Sequence, residues 1–357
     1  MNDWNDDVLT RVVPRLTPVP LAERREILAG PASNDQHRGH FDRLAVLREI
    51  EAGGSARRRE IEGPARIVFW NVERLRHIDA ITETLKTVGA DVNLLCEIDR
   101  GMARTQNTDR IVDLAGRLDQ AYLYAVEFVE LGLGDVHEQA RHAGEENAQG
   151  FHGAALLSGV ALQSPFLIRM DARGNWFDGV FHERRVGGTI SIGAKVTVSG
   201  TPVTAVSVHL ESHCDPQTRA ADMEGLLRRI ESVAPGEPAI LGGDFNTSTG
   251  GLGERYNDRA AWLELIRQQP DRLTSPENYE PLFEVARSFG YDWHEANLPG
   301  VPTQRFPVGS DRPNHKLDWF FTRGLKVTDP LIIPAIRPGG MPSSDHECLA
   351  VTIVPLT

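Results

Sequence analysis

Gly242-Gly243-Asp244-Phe245-Asn246 closes an apolar run, Ala239-Ile240-Leu241, and so marks the point where a buried strand reaches the surface. A carboxylate and a carboxamide two residues apart on an extended strand end point to the same side. The two glycines read as positions where the backbone bends and a ligand comes close. The pair suits chemistry on a phosphate: Asp244 orients or deprotonates a water, and Asn246 donates to a charged oxygen.

Working outward, the same pattern recurs along the chain. Trp70-Asn71, Cys96-Glu97, His209-Leu210-Glu211, Asp318 within Lys316-Leu317-Asp318-Trp319, and Ser343-Ser344-Asp345-His346 each interrupt or end an apolar run. A polar group in such a place must be hydrogen-bonded or must bind something. Periodicity supplies the frame. Ile67 to Val72 and Val92 to Ile98 read as buried strands around an amphipathic helix, Ile78 to Val88. A helix at Asp109 to Leu118 and a strand at Ala121 to Val129 follow, then a polar surface loop from Gly132 to Gly150. Strand patterns resume at Gly153 to Leu157, Leu162 to Ile168, Thr189 to Val198 and Val203 to Leu210. A helix from Pro216 to Ser232 leads into the Asp244 strand. Helical patterns at Arg259 to Arg267 and Pro281 to Phe289 precede the last strands, Leu317 to Thr322 and Cys348 to Val354. Strands outnumber helices and many neighbours are joined by short turns. This favours an α+β two-sheet sandwich flanked by helices over a doubly wound parallel sheet.

Taken together and in order, these fragments resemble the endonuclease/exonuclease/phosphatase superfamily, the deoxyribonuclease-like metallophosphoesterases. The resemblance runs from about Arg66 to Val354. It implies a four-layered α/β sandwich, two mixed β-sheets face to face with helices outside, and phosphoester hydrolysis with Mg²⁺ or Mn²⁺. It implies metal ligation by Glu97, assisted by Asn71 and Asp345. Asn71 would also help hold the metal-bound water or phosphate. It implies that Asp244 activates the attacking water, that Asn246 and His209 donate to phosphate oxygens, and that His346, with Asp318 on its other nitrogen, meets the scissile phosphate. Arg185, beside Arg184, stands where relatives often carry an arginine facing substrate. Phe151-His152-Gly153-Ala154-Ala155-Leu156-Leu157-Ser158 resembles a family strand in which Asn is common at the position of Ala154, so that His152 becomes the candidate contact there. Lys316 is a further candidate for a phosphate contact, while His213 and Cys214 are read as shaping a loop.

Composition narrows the function. The chain has 357 residues, 38 Lys plus Arg against 50 Asp plus Glu, and a formal net charge of -12. So acidic a chain lacks the broad basic footprint of a dedicated nucleic-acid binder. Three cysteines without close pairs argue against a disulfide framework or zinc knuckle. The acidic N-terminus, Met1-Asn2-Asp3-Trp4, does not read as a secretory signal, and no apolar run approaches membrane-spanning length, so a cytoplasmic location is expected. Residues 1–63, punctuated by prolines and ending in Gly53-Gly54-Ser55 and Arg57-Arg58-Arg59, read as an N-terminal helical extension and linker, and 64–357 as the catalytic domain. Helical patterns at Leu21 to Leu28 and Phe41 to Ile50 support the first assignment. Two substrate classes stay open. The charge and the longer loops (Gly132 to Gly150, Met170 to His182, Gly290 to Asn314) favour a phosphodiesterase or phosphatase acting on a small molecule or lipid headgroup. A Mg²⁺-dependent nuclease is the other. A catalytically inactive binding protein on the same fold, or a metal enzyme acting on a non-phosphoester bond, are readings of a different kind.

Overall fold

Strand alternation lays out the layers. Within Ala65–Arg74, Ile67 and Phe69 face one side, where they meet Ile192, Ala194, Ile240 and Phe320 from a second sheet. Val68, Trp70 and Val72 face the other, where Ile78, Ile81, Leu85, Ile111 and Leu114 cover them from helices. The second sheet alternates likewise: Ile240 and Phe320 face inward, while Val206, Val208, Leu241 and Phe321 pack on Met223, Leu226, Leu282 and Phe283. The result is helix, sheet, sheet, helix, as the resemblance implies.

A computed structural model describes residues 8–170, 174–179, 183–250, 258–306, 310 and 312–356. In chain order the elements are β1 (Val12–Val13), α1 (Leu21–Ala29), α2 (Asn34–Arg43), β2 (Ile50–Gly53), β3 (Ala65–Arg74), α3 (Ile78–Val88), β4 (Val92–Arg100), α4 (Arg110–Leu118), β5 (Ala121–Glu130), α5 (Val136–Arg141), β6 (Phe151–Ser158) and β7 (Gln163–Arg169). They continue with β8 (Arg185–Gly187), β9 (Ile190–Val198), β10 (Thr201–His209), α6 (Pro216–Val233), β11 (Ala239–Asp244), α7 (Arg259–Gln268), α8 (Leu282–Ser288), β12 (Asp318–Arg323), β13 (Leu325–Ile333) and β14 (Cys348–Pro355). The larger sheet runs β1-β2-β5-β6-β4-β3-β14-β13, with β8 sharing the β2 edge of β5; the smaller runs β12-β11-β10-β9-β7. Both are mixed: β3 is parallel to β4 and β10 to β11, amid antiparallel neighbours. No described helix is long and apolar enough to cross a membrane.

The chain's beginning departs from expectation. It contributes strands as well as helices: β2 pairs with β5, and β1 with β2. Val46, Leu47 and Ile50 are wholly buried, and Ile61 bridges to Val198 of the second sheet. The helical pattern at Phe41 to Ile50 divides, because α2 stops at Arg43 and the next residues make a 3-10 turn into β2. The Gly132 to Gly150 loop contains α5, started by a capping box between Asp135 and Glu138. Gly242 and Gly243 also serve a different purpose from the expected one. A side chain at Gly242 would strike Phe69 and Phe320 at 2.8 Å, so this glycine lets the two sheets close on each other. One at Gly243 would meet Val208 and Phe245.

A buried ion pair braces the loops that follow β10 and β11. Arg219, on α6, gives Nη2 to Glu280 Oε1 at 2.6 Å and Nη1 to the Cys214 carbonyl at 2.9 Å, and Glu280 Oε1 accepts the Thr249 N–H at 2.7 Å. Neither side chain is exposed. Glu280→Ala would strand a buried guanidinium and is expected to cost roughly 3–5 kcal/mol. Urea unfolding checks this, and an unchanged midpoint would show that the brace contributes little.

Candidate active site

The inner faces of the two sheets end together, and their last inward-facing residues are polar. Asn71 is in phase with Ile67 and Phe69, His209 with Ala205 and Ser207, Asp244 with Ile240 and Gly242, and Asp318 with Phe320. Two residues reach the same place only because the strands slip. Cys96 faces the inter-sheet core, so Glu97 would face outward; a register shift in β4 and a left-handed φ of 56° at Glu97 turn its side chain inward. A shift between Val126 and Phe128 of β5 likewise lets Glu127 and Phe128 line one cavity, though they are consecutive. That cavity, of about 350 Å³, is lined by Glu97, Glu127, His152, Arg185, His209, Asp244, Asn246, Asp345 and His346, among others.

Hydrogen bonds order these groups. Asn71 Nδ2 donates to Glu97 Oε1 at 2.9 Å and Asp244 Oδ2 at 3.1 Å, while its Oδ1 accepts the Glu73 N–H at 3.1 Å. That last bond fixes the amide orientation, so Asn71 presents its N–H groups, not its oxygen, to the cavity. In this orientation it positions the carboxylates of Glu97 and Asp244. Asp244 Oδ1 accepts the Asn246 N–H at 3.0 Å, and Asn246 Nδ2 donates to the Leu210 carbonyl at 2.8 Å. One amide proton of Asn246 is thus committed to the protein and the second remains for an oxyanion.

Two imidazoles flank Asp244 Oδ2, His209 Nε2 at 3.9 Å and His346 Nε2 at 3.7 Å. Each is backed by a carboxylate: His346 Nδ1 lies 2.8 Å from Asp318 Oδ2, and His209 Nδ1 lies 3.1 Å from Glu127 Oε2. Burial alone would discharge both rings. Asp318 chiefly holds His346 protonated well above the usual imidazole range, and Glu127 pushes His209 up to about 10. Asp244 is pushed up to about 6 by burial, against the pull of His346 and His209, which places it near neutrality as a proton acceptor. Glu97 goes the other way: burial opposes its ionisation, but His209, His152 and Arg74 bring it down to about 2.

Glu127→Gln tests this electrostatic design in metal-free protein. The raised His209 stabilises the fold fully below its ordinary value of 6.5, and that contribution fades as pH climbs towards about 10. Wild type is expected to lose stability over that window and the variant to show a flatter profile. Equal slopes in urea unfolding at pH 6 and pH 9 would refute the pairing.

The remaining candidates divide. His152 reaches the cavity, with Nδ1 2.8 Å from Asp99 Oδ1, whereas Ala154 is buried between the sheets. Arg185 lines the cavity. Arg184 does not: it donates to the carbonyls of Leu28, Gly30 and Pro31 and so fastens the N-terminal segment. Lys316 is buried outside the cavity wall, with Nζ on the Leu298 carbonyl at 2.7 Å and over the Trp319 ring. His213 joins the cavity wall and packs edge-on against Trp176, while Cys214 is buried beside Arg219. Within the Met170 to His182 and Gly290 to Asn314 loops, residues 171–173, 180–182, 307–309 and 311 lie outside the described residues. Glu127 and Gln304 were not anticipated. Glu127 carries the same signal as the other fragments, a carboxylate inside an apolar run. Gln304, whose amide Nε2 lies 3.2 Å from both Asp345 Oδ2 and His346 Nε2, sits in a polar loop without such a signal.

The donor set suits a hard divalent cation. Carboxylate oxygens from Glu97 and Asp345 share the cavity, and Glu97 is held ionised. Asp244, Asp318 and His346 also bring ligand atoms within 4.8 Å of one another. There the Asp318–His346 hydrogen bond already uses two of the facing atoms.

A face-to-face sandwich with carboxylates and paired imidazoles at its strand ends defines a class of hydrolytic proteins that attack phosphoesters. The Endonuclease/Exonuclease/phosphatase family profile matches residues 68–346, and the chain belongs to that family. Its members are generally metal-dependent hydrolases of phosphoesters. The fold is similar to the human Nocturnin catalytic domain with bound sulfate anion, at TM-score 0.53 and 16% identity over 86% of this chain and 97% of that one. An endonuclease/exonuclease/phosphatase from Beutenbergia cavernae DSM 12333 gives TM-score 0.53 at 15% identity over 82% and 72% of the respective chains. One from Bacteroides vulgatus gives 0.52 at 16% over 82% and 99%. No curated protein sequence matches the chain.

Proposed function

We propose that the chain hydrolyses a phosphodiester or phosphomonoester of a small molecule or lipid headgroup, with Mg²⁺ or Mn²⁺ held by Glu97 and Asp345. The observation that carries this reading is the convergence of Glu97, Asp244, His209 and His346 in one cavity of about 350 Å³. When bound, the cation would neutralise phosphoryl charge and favour a nucleophilic water. Asn71 holds the carboxylates of Glu97 and Asp244 apart and oriented. Asp244 takes the proton of the attacking water. His346 and His209, kept protonated by Asp318 and Glu127, donate to phosphoryl oxygens as charge develops, and Asn246 offers its second amide proton. Trp176 touches Arg185, Glu211 and His213 and so joins residues of the cavity wall. The net charge of -12 agrees with the small-molecule choice.

The test is turnover on plasmid DNA, RNA, an aryl phosphodiester, an aryl phosphomonoester, inositol phosphates and sphingomyelin, each with Mg²⁺, Mn²⁺ or EDTA. Metal-dependent cleavage of a small or lipid ester is expected. Preference for DNA or RNA would make the chain a nuclease. Silence without metal binding would leave a binding protein on this fold.

A further inference from the structure

One wall of the cavity is a stack. Phe128 lies parallel to His152, ring centroids 4.7 Å apart at 21°. The Arg185 guanidinium lies over Phe128 at 4.0 Å and over Trp176 at 3.6 Å, held between the two rings. Trp176 is fixed in turn by Nε1 donating to Glu211 Oε2 at 3.1 Å. Among the described residues no acceptor lies within hydrogen-bond reach of the guanidinium; the nearest carboxylate oxygen, Glu183 Oε2, is 3.6 Å away. That is an ion pair without a hydrogen bond.

Phe128 is covered by His152 and Arg185, and one face of Trp176 by Arg185. The guanidinium has its faces covered, and among the described residues its edge makes no hydrogen bond, only the ion pair with Glu183. An edge of parallel N–H groups matches a two-oxygen anion, and stacking has already removed its freedom to turn away. On the proposed reading Glu97, Asp244 and the two imidazoles, which share the cavity with Arg185, serve the scissile phosphate, and Arg185 is left for a different group.

We propose that Arg185 is a second anion subsite, and that the substrate is a small phosphoester bearing a further phosphate or carboxylate which Arg185 receives edge-on. This rests on the phosphoesterase reading of the site. Because the wall offers the Arg185 charge, selectivity would follow the second anion.

Calorimetry on the full chain, with Mg²⁺ and again with EDTA, separates the two ideas. The probes are methylphosphonate with one anion, propane-1,3-bisphosphonate with two, and 3-phosphonopropanoate with a phosphonate and a carboxylate. Wild type is expected to bind a two-anion probe about 10- to 100-fold more tightly than methylphosphonate, the range of a charged hydrogen-bonded pair. R185Q should bring the two-anion probes down to the affinity of methylphosphonate. R185K, which keeps the charge and loses the fork, should fall between, and W176A should narrow the gap by freeing the guanidinium. A gain for the bisphosphonate alone identifies phosphate as the second group, and a gain for both probes admits carboxylate. Equal affinities in folded wild type, or a gap that survives R185Q, overturn the subsite. Methylphosphonate binding that is absent, or that persists in H346A, overturns the phosphoesterase reading instead, and an Arg185-dependent gain for the bisphosphonate would still stand.

Discussion

Asp244→Asn is expected to lower turnover by about 10³- to 10⁴-fold while leaving the fold intact. The substitution keeps the shape of the side chain and its ability to accept the Asn246 N–H, seen at 3.0 Å. It removes a carboxyl held near neutrality, at about 6, where it can take a proton. Stability should hold or rise at pH 7 in the metal-free protein. The Asp244 carboxyl stands at about 6, above its ordinary 3.8, so the folded state is relatively favoured below 3.8 and loses that advantage as pH rises through 6. An amide does not titrate, and the loss disappears with it. Single-turnover rates and melting curves of the two proteins check both halves. Turnover near the wild-type rate would remove Asp244 from the chemistry, and a large drop in melting temperature would make its role structural.

Glu97→Ala should be at least as damaging, for a different reason. The side chain is an inward carboxylate brought down to about 2, set there by Asn71 Nδ2 at 2.9 Å and by the slip in β4. Without it Asp345 is left as the remaining proposed ligand. Mg²⁺ affinity is expected to fall by more than about 100-fold, since even outer partners of a metal ligand cost that much. Turnover should fall with it and should not recover at high Mg²⁺. Glu97→Gln separates charge from shape: it keeps the left-handed residue and its contacts and should also fail to bind. Calorimetric Mg²⁺ binding unchanged in both variants would exclude Glu97 as the ligand.

Much of this was legible in the sequence, and physical reasons separate what was from what was not. The helix read at Ile78 to Val88 is α3 to the residue, because its buried stripe is strictly periodic and Gly89, at φ 64°, ends it. The strands that carry Asn71, His209 and Asp244 were legible because polar residues break long apolar runs. The strand Leu325–Ile333 was missed: at the sheet's edge its alternation is mostly exposed, with Lys326, Thr328 and Asp329 in view. The slips at Glu97 and Phe128 were beyond reach, since simple alternation sends both side chains away from the cavity. Lys316 and Arg184 lie on backbone carbonyls, and a cation near a strand end looks the same in sequence whether it meets a phosphate or a carbonyl.

The order of strands in the larger sheet sets how far the chain can be shortened. A protein trimmed to the 68–346 match would lack β14, which lies between β3 and β13, and β2, which covers one end of β5. The sheet would open in two places, leaving β3 and β5 with unpaired backbone rows. Such rows recruit strands from other molecules. The unit with both sheet gaps closed is therefore longer than the segment that carries the family's signature, and shortened versions are expected to self-associate through the exposed rows.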